Sequence, residues 1–119
     1  MLKDLTGPSV TRVTPITEIA GPFLADRQYC GMDADGKLTG GRPVSVEGTV
    51  KTVASSGGTR TYVLEDGTSG ITVFVNRQFP PPTSNDKIHV MGLVQCAPPG
   101  ALVGNLLHEV MRTPARSSK

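Results

Sequence analysis

The chain has 119 residues, of which 37% are hydrophobic and 18% charged, and its formal net charge is +2. This length supports one modest hydrophobic core and excludes a two-domain enzyme with a cleft between its domains. The near-neutral charge excludes a surface that attracts nucleic acid or anionic membrane as a whole, so nucleic-acid binding would need a local basic patch.

The N-terminal residues 1–9 are polar and contain a Gly-Pro pair, which predicts a flexible arm before a single domain over residues 10–112. They hold no apolar run long enough for a signal peptide, and no window of the chain resembles a membrane span. The following run, VTRVTPITEIA, predicts a short extended segment and one helical turn. Thr14 or Thr17 would cap this turn, which would end near Gly21.

Two cysteines, Cys30 and Cys96, are too few for a disulfide-rich secreted scaffold and lack zinc-ligand spacing. We expect both to be reduced, in an intracellular protein. Between them, Asp33 and Asp35 resemble the start of a calcium loop, but the glutamate expected at its far end is absent. The segment therefore predicts a turn, and we expect neither a metal nor another cofactor.

Residues 44–76 contain three alternating strand patterns joined by glycine-containing turns. The inward positions are Val44, Val46, Gly48 and Val50 on the first strand, Tyr62 and Leu64 on the second, and Ile71, Val73 and Val75 on the third. Gly48 has no side chain, which predicts a sharp bend that lets the first strand serve two sides of a barrel.

Two further strands follow a proline-rich connection over residues 76–86, which we expect to be irregular rather than helical. The pattern of residues 87–95 predicts a strand whose inward positions are Ile88, Val90, Gly92 and Val94. A fifth strand is predicted within 101–111, although the part LLHEVM also fits a helical turn. The polar tail, residues 113–119, is predicted to be disordered.

Five short strands with a long connection between the third and fourth predict an all-β, five-stranded Greek-key barrel, the oligonucleotide/oligosaccharide-binding (OB) fold. The motifs GTVKTV, TYVLEDGTSGITV and DKIHVMGLVQ resemble those of single-strand-binding OB domains. RVTPIT is similar to the segment that leads into the OB core of the middle subunit of replication protein A. This resemblance implies binding of single-stranded DNA, weakly when alone, in a complex with other OB-fold subunits in the nucleus.

The sequence departs from that family at its C-terminus, where members carry a helix that joins a three-subunit bundle. Here the fifth predicted strand runs almost directly into TPARSSK. Either the protein lacks the bundle or the sequence is a piece of a longer chain.

Such barrels bind single strands through aromatic rings that stack on bases and basic side chains that follow the phosphates. Phe74 points outward on the third strand, where it would either stack on a base or pack beneath a neighbouring segment. For Phe79 we favour packing of the proline-rich loop, and for Tyr62 a buried ring with its hydroxyl at the rim. The candidate nucleic-acid-binding residues are Lys51, Arg60, Phe74, Asn76, Arg77 and Phe79.

The outward face of the fourth strand is also largely apolar, with His89, Met91 and Leu93. Either the N-terminal segment of the same chain covers this face or another protein does, which makes it a candidate partner interface. Neither histidine, His89 or His108, belongs to a metal-ligand motif. The alternatives to single-stranded DNA binding are therefore a protein-interaction scaffold and an RNA-binding OB protein.

We expect no enzymatic activity, because no catalytic motif is present. Glu65 and Asp66 are adjacent carboxylates, but neighbours on a strand point to opposite faces. Asp66 is better explained as a turn residue before Gly67.

Overall fold

A computed structural model describes residues 13–20, 30–98 and 104–115. Its elements in chain order are α1 (Thr17–Ala20), β1 (Cys30–Met32), β2 (Val44–Ser56), β3 (Thr59–Glu65), β4 (Gly70–Phe74), β5 (Lys87–Gln95) and β6 (Leu106–Pro114). No helix in the described part of the chain has the length and apolar character needed to cross a membrane. The predicted N-terminal arm lies outside the described residues.

Strands β2 to β6 form a closed barrel. The sheet order is β1-β5-β2-β3-β4-β6, and an additional pairing of β5 with β6 closes the ring. All pairings within the ring are antiparallel except that of β4 with β6, which is parallel. β1 adds a sixth strand outside the ring, parallel to β5. The five-stranded OB barrel predicted from the sequence is confirmed.

The barrel interior is filled by the side chains that the alternation predicted. Val46, Val50, Leu64, Val73 and Val90 are completely buried, and Tyr62 is 1% exposed. Burying these side chains stabilises the fold through the hydrophobic effect. The alternation predicts that Ser45 faces outward, but its side chain is buried. Its carbonyl accepts a hydrogen bond from the backbone N–H of Thr14, so residues before α1 cover this part of β2.

Two inward-phase glycines allow neighbouring strands to approach closely. A Cβ atom on Gly48 would lie 2.5 Å from the carbonyl oxygen of Glu65 on β3. A Cβ on Gly92 would likewise collide with the carbonyl oxygen of His108 on β6. The sequence predicted a bend at Gly48, whereas the contact that requires glycine there is the backbone of the next strand.

The short helix α1 closes one end of the barrel. Ile19 within the helix and Ile16 just before it are completely buried in the core. The buried side chain of Asn105 donates to the carbonyl of Ile19 at 2.8 Å and accepts from the N–H of Ala97 at 2.8 Å. Asp66, in the β3–β4 turn, accepts from the N–H of Ile16 at 2.9 Å. The predicted helical turn thus exists, and the β3–β4 turn and Asn105, just before β6, hold it in place.

A disulfide joins Cys30 to Cys96, which corrects the expectation that both cysteines are reduced. Cys30 lies on β1 and Cys96 follows β5, so the bond fastens the extra strand to the barrel. The sequence offered no geometric information on this pairing, because 66 positions separate the two residues. The nuclear location stays a prediction, and the disulfide argues against it because such bonds are rare in cytosolic and nuclear proteins.

The C-terminal part of the domain is a strand, not a helical turn. β6 pairs with β5 from Leu106 to Pro114, and Ala115 N–H donates to the carbonyl of Lys87. It therefore extends two residues beyond the predicted domain boundary at 112 and includes Thr113 and Pro114 of the predicted disordered tail. The proline-rich connection over 76–86 contains turns and no helix, as predicted.

Candidate nucleic-acid interface

The register of three neighbouring strands aligns two rings on the outer face of the barrel. Thr61 on β3 is opposite Phe74 on β4, and Phe74 is opposite His108 on β6. Paired residues in adjacent strands point to the same face of a sheet. The Phe74 and His108 rings therefore meet, with centroids 4.7 Å apart and planes tilted by 56°.

This pair of rings lies in a groove of about 440 Å³. The groove lies between the tip of the β2–β3 hairpin and the chain that leaves β4, and Glu109 of β6 is also part of its wall. Its lining residues are Gly58, Thr59, Arg60, Phe74, Val75, Asn76, Arg77, His108 and Glu109. The structure thus brings together four of the six predicted nucleic-acid-binding residues.

Arg60 and Arg77 supply the positive charge of the groove. Both are exposed, and neither guanidinium forms an ion pair with a residue in the described parts of the chain. The two arginines also line a smaller adjoining recess with Gly58 and Val75. Guanidinium groups suit phosphate oxygens because their planar fork donates two parallel hydrogen bonds.

The Phe74 ring contacts its own barrel and also borders the groove. The side chain is half-buried, so part of the ring packs on His108 and part borders the groove. A ring held on one side by a neighbour is restrained before a ligand arrives, which reduces the entropy lost on binding. Its predicted role in base stacking stays a prediction.

His108 was not among the predicted site residues. Its ring Nε2 lies 2.7 Å from Oε1 of Gln95, and burial lowers the pKa of His108 below its usual value, so the ring is neutral near pH 7. His108 could not be placed from the sequence, because LLHEVM fitted a helical turn as well as a strand. Read as a strand, Leu107 and Glu109 point inward and His108 points outward.

A buried carboxylate forms the wall behind the groove. Glu109 Oε1 accepts from the Tyr62 hydroxyl at 2.7 Å and from Arg112 at 3.1 Å, and its Oε2 accepts from the N–H of Asn76 at 3.2 Å. Burial and the nearby Glu109 raise the pKa of Tyr62 well above its usual value, so the hydroxyl stays protonated and donates. Tyr62 is therefore a core ring, as predicted, although its hydroxyl is buried too.

Asn76 lines the groove but its side chain holds the start of the proline-rich loop, whereas Phe79 lies outside the groove. Asn76 Nδ2 donates to the carbonyl of Val110 at 2.9 Å, and its Oδ1 accepts from the N–H of Gln78 at 2.9 Å. Its amide is thus occupied at both ends. The Phe79 ring lies under the Arg112 guanidinium, 5.8 Å from its centroid, which agrees with the favoured prediction that it packs within the loop.

Lys51 does not line the groove, although the sequence grouped it with Arg60 and Arg77 as a candidate nucleic-acid-binding residue. It is exposed on β2 beside the turn that precedes β5, where the Ser84 hydroxyl donates to the Lys51 carbonyl at 3.0 Å. A register shift in the pairing of β2 with β3 lies between Val50 and Thr52, at Lys51 itself. Such irregularities redirect side chains, and the alternation of residues in the sequence does not reveal this register shift.

The candidate partner interface on β5 is partly covered by the chain itself. Leu93 packs against Gly31 of β1, where a Cβ would lie 2.9 Å from a Leu93 methyl carbon. His89 Nδ1 lies 2.9 Å from Glu47 Oε2. Met91 is half-buried opposite Met111, which is 53% exposed. The exposed apolar side chains next to this face, Val110 and Met111, therefore lie on β6, outside the predicted set.

The acidic residues considered in the sequence serve turns. Asp33 Oδ1 accepts from the N–H groups of Asp35 and Lys37, at 2.9 and 3.0 Å, which confirms the predicted turn. Asp66 Oδ1 accepts from the Thr68 hydroxyl at 2.6 Å, as a turn residue does. Among the described residues, no group of three or more His, Cys, Asp and Glu side chains is placed to hold a metal ion.

Solved structures share this architecture, whereas no family model and no curated protein matches the sequence. An OBody bound to hen egg-white lysozyme is 18% identical, with a TM-score of 0.51 over 66% of this chain and 98% of that one. A replication protein A heterotrimer bound to single-stranded DNA contains a chain that is 17% identical, with a TM-score of 0.52 over 70% of this chain. The match spans 63% of that chain, less than two thirds of its length.

A third similar structure is an aspartyl-tRNA synthetase from Entamoeba histolytica. It is 12% identical, with a TM-score of 0.56 over 100% of this chain and 25% of the synthetase. At such low identities these similarities show the fold alone. The chain has an OB fold.

Proposed function

We propose that the protein binds single-stranded nucleic acid, and DNA in particular, in the groove between the β2–β3 hairpin and the end of β4. The observation that carries the proposal is the grouping of the Phe74 ring, backed by His108, with two exposed guanidinium groups in one groove. OB barrels use the face of these strands for oligonucleotides. The structural similarity to a subunit of replication protein A supports the same choice.

In this proposal a base stacks on Phe74 while Arg60 and Arg77 contact the flanking phosphates. The site is small, with one well-placed phenylalanine and two cations, so we expect weak and largely sequence-independent binding. Other OB-fold subunits would then strengthen it by adding sites on the same strand. No residue is assigned a catalytic role.

Fluorescence anisotropy with labelled dT and rU oligomers at two salt concentrations tests this function. We expect Phe74→Ala to weaken binding by about 5- to 150-fold, corresponding to the ~1–3 kcal/mol that stacking of one base contributes. Phe79→Ala is the matched control, because it removes the same ring outside the groove and should leave the affinity within about twofold.

The charge contribution is tested with Arg77→Gln against Lys51→Gln. If Arg77 contacts a phosphate, its loss lowers the salt dependence of binding by about 0.7 in the slope of log K against log salt. Lys51→Gln removes the same charge away from the groove and should leave that slope unchanged. No binding by the wild-type protein at low salt, or equal losses in Phe74→Ala and Phe79→Ala, would contradict the proposal.

A second candidate function is a protein-interaction scaffold with little nucleic-acid binding. It is favoured by the exposed side chains of Val110 and Met111, which are 44% and 53% exposed next to Met91. The structurally similar OBody is bound to a protein, lysozyme. RNA binding is the third candidate, since stacking and phosphate contacts serve both polymers, and tighter binding of rU than dT would favour it.

A further inference from the structure

Within the described residues, the far half of β2 has a partner strand on one side only. Its pairing with β5 ends at Thr49 and Lys87, and contacts from residues 84–86 reach only as far as Lys51. From Thr52 to Ser56 the strand pairs with β3 alone among the described residues. Residues 51–60 are all exposed, and even the inward-phase Val53 is 39% exposed. The β2–β3 hairpin therefore projects beyond the barrel.

The turn of this hairpin shows which backbone groups face away from β3. Gly57 and Gly58 both have positive φ, 58° and 86°, as a two-residue type I′ turn requires. Ser56 and Thr59 are then a hydrogen-bonded pair. Along an antiparallel ladder, hydrogen-bonded pairs alternate with non-hydrogen-bonded pairs. Ala54 therefore bonds to β3, whereas the N–H and C=O groups of Val53 and Ser55 point outward.

An independent contact supports this assignment. Arg60, the partner of Ser55, uses its carbonyl to accept a hydrogen bond from the N–H of Val75 on the opposite side, at 2.9 Å. Arg60 therefore faces away from β2, as a residue of a non-hydrogen-bonded pair must. The free edge thus offers four backbone groups, from Val53 and Ser55, to another strand.

The composition of this edge leaves it open to pairing. Natural proteins protect edge strands with charged side chains, prolines or irregularities. The segment TVASS, from Thr52 to Ser56, has neither a charge nor a proline, and the register shift at Lys51 lies before it. The outward groups at Val53 and Ser55 also lie symmetrically about Ala54, so the edge is complementary to its own copy.

We propose that a second copy of this chain pairs with this edge, antiparallel and about a two-fold axis at Ala54. Val53 of each copy would pair with Ser55 of the other, giving four backbone hydrogen bonds, and the two Ala54 residues would face each other. A two-fold contact uses the same surface on both copies and closes without exposing a further edge. The inference does not depend on nucleic-acid binding.

The surface buried by a five-residue strand pairing is small compared with the roughly 1,200 Å² that the smallest stable interfaces bury. The dimer should therefore be weak and reversible, forming over a range from about 10 µM to 1 mM. Sedimentation velocity of the full chain, without reductant and without nucleic acid, should show an average mass that rises toward twice the monomer across this range.

Charges introduced at the two-fold axis test the register. Ala54→Lys places two like charges directly opposite each other and should lower the association constant by about fivefold or more. Ala54→Glu should do the same, and an equimolar mixture of the two should associate at least as well as wild type. Thr59→Lys is the matched control, since it adds the same charge to the same hairpin away from the free edge.

Ser55→Pro provides a second variant. It removes an outward N–H but no hydrogen bond to β3, so it should abolish association while far-ultraviolet circular dichroism stays unchanged. A wild-type protein that stays monomeric throughout would overturn the proposal. So would dimers that persist in both Ala54→Lys and Ser55→Pro, since another surface would then hold them.

Discussion

The buried Tyr62–Glu109–Arg112 cluster allows a quantitative prediction of stability. The Glu109 side chain is 0% exposed and that of Arg112 is 12% exposed, so their ion pair is largely removed from water. Glu109→Gln keeps the shape but leaves the guanidinium without its counter-charge, and we expect a loss of about 3–5 kcal/mol. Tyr62→Phe removes one hydrogen bond to a charged group and should cost about 1.5–3 kcal/mol.

These losses are large beside the roughly 5–15 kcal/mol that stabilises an ordinary domain. Urea unfolding at pH 7, followed by far-ultraviolet circular dichroism without reductant, measures both variants and the double variant. In the Glu109→Gln background the Tyr62 hydroxyl meets a neutral partner, so Tyr62→Phe should cost only about 0.5–1.5 kcal/mol.

The coupling between Tyr62 and Glu109 should therefore be about 1 kcal/mol or more. Glu65→Gln, which neutralises an exposed carboxylate on β3, is the control and should change stability by about 0.5 kcal/mol or less. If the two single substitutions are additive within about 0.5 kcal/mol, the cluster does not act as described and the reasoning is refuted.

Two further substitutions test the close strand approach and the N-terminal closure. Gly48→Ala should destabilise by about 1–3 kcal/mol in urea, because its Cβ meets the Glu65 carbonyl. Gly70→Ala should cost clearly less, because its tightest contact, at 3.2 Å, is to the flexible Glu65 side chain. Equal losses would refute the contact argument. Burial alone would raise the pKa of Asp66, but hydrogen bonds from Ile16, Thr68 and Ser69 outweigh it and lower the pKa below its usual 3.8. The ionised carboxylate therefore stabilises the fold fully above this pH, and the stabilisation is lost as the pH falls through the lowered value. Asp66→Asn should cost about 1 kcal/mol at pH 7, and a constant difference from wild type down to pH 2 would contradict this assignment.

The sequence predicted the barrel because strand alternation is a local property. The strand at 87–95 and the inward residues of β2 to β5 followed from side chains that alternate between core and solvent. A one-residue slip would turn Val46, Leu64 or Val90 out of the core, so the alternation determines which face of each strand is inward. Phe74 could be placed outward for the same reason. A two-residue slip would keep the three core residues inward, so the alternation alone leaves the pairing register open.

The site depended on contacts between residues that are distant in sequence. His108 joins Phe74 only because β6 pairs with β4 as the barrel closes, and the local sequence LLHEVM also allowed a helix. Lys51 lies outside the groove, and the register shift beside it leaves no mark in the alternation.

The sequence by itself determined the fold class, the order of the five barrel strands along the chain and the filling of the core, because burial on one face repeats every second residue. Only the tertiary structure decided that Cys30 bonds to Cys96, that Glu109 is buried between Tyr62 and Arg112, and that His108 joins Phe74 in the groove. Each of these contacts depends on the offset between neighbouring strands. Closure of the barrel determines that offset, whereas the two-residue alternation of side chains does not.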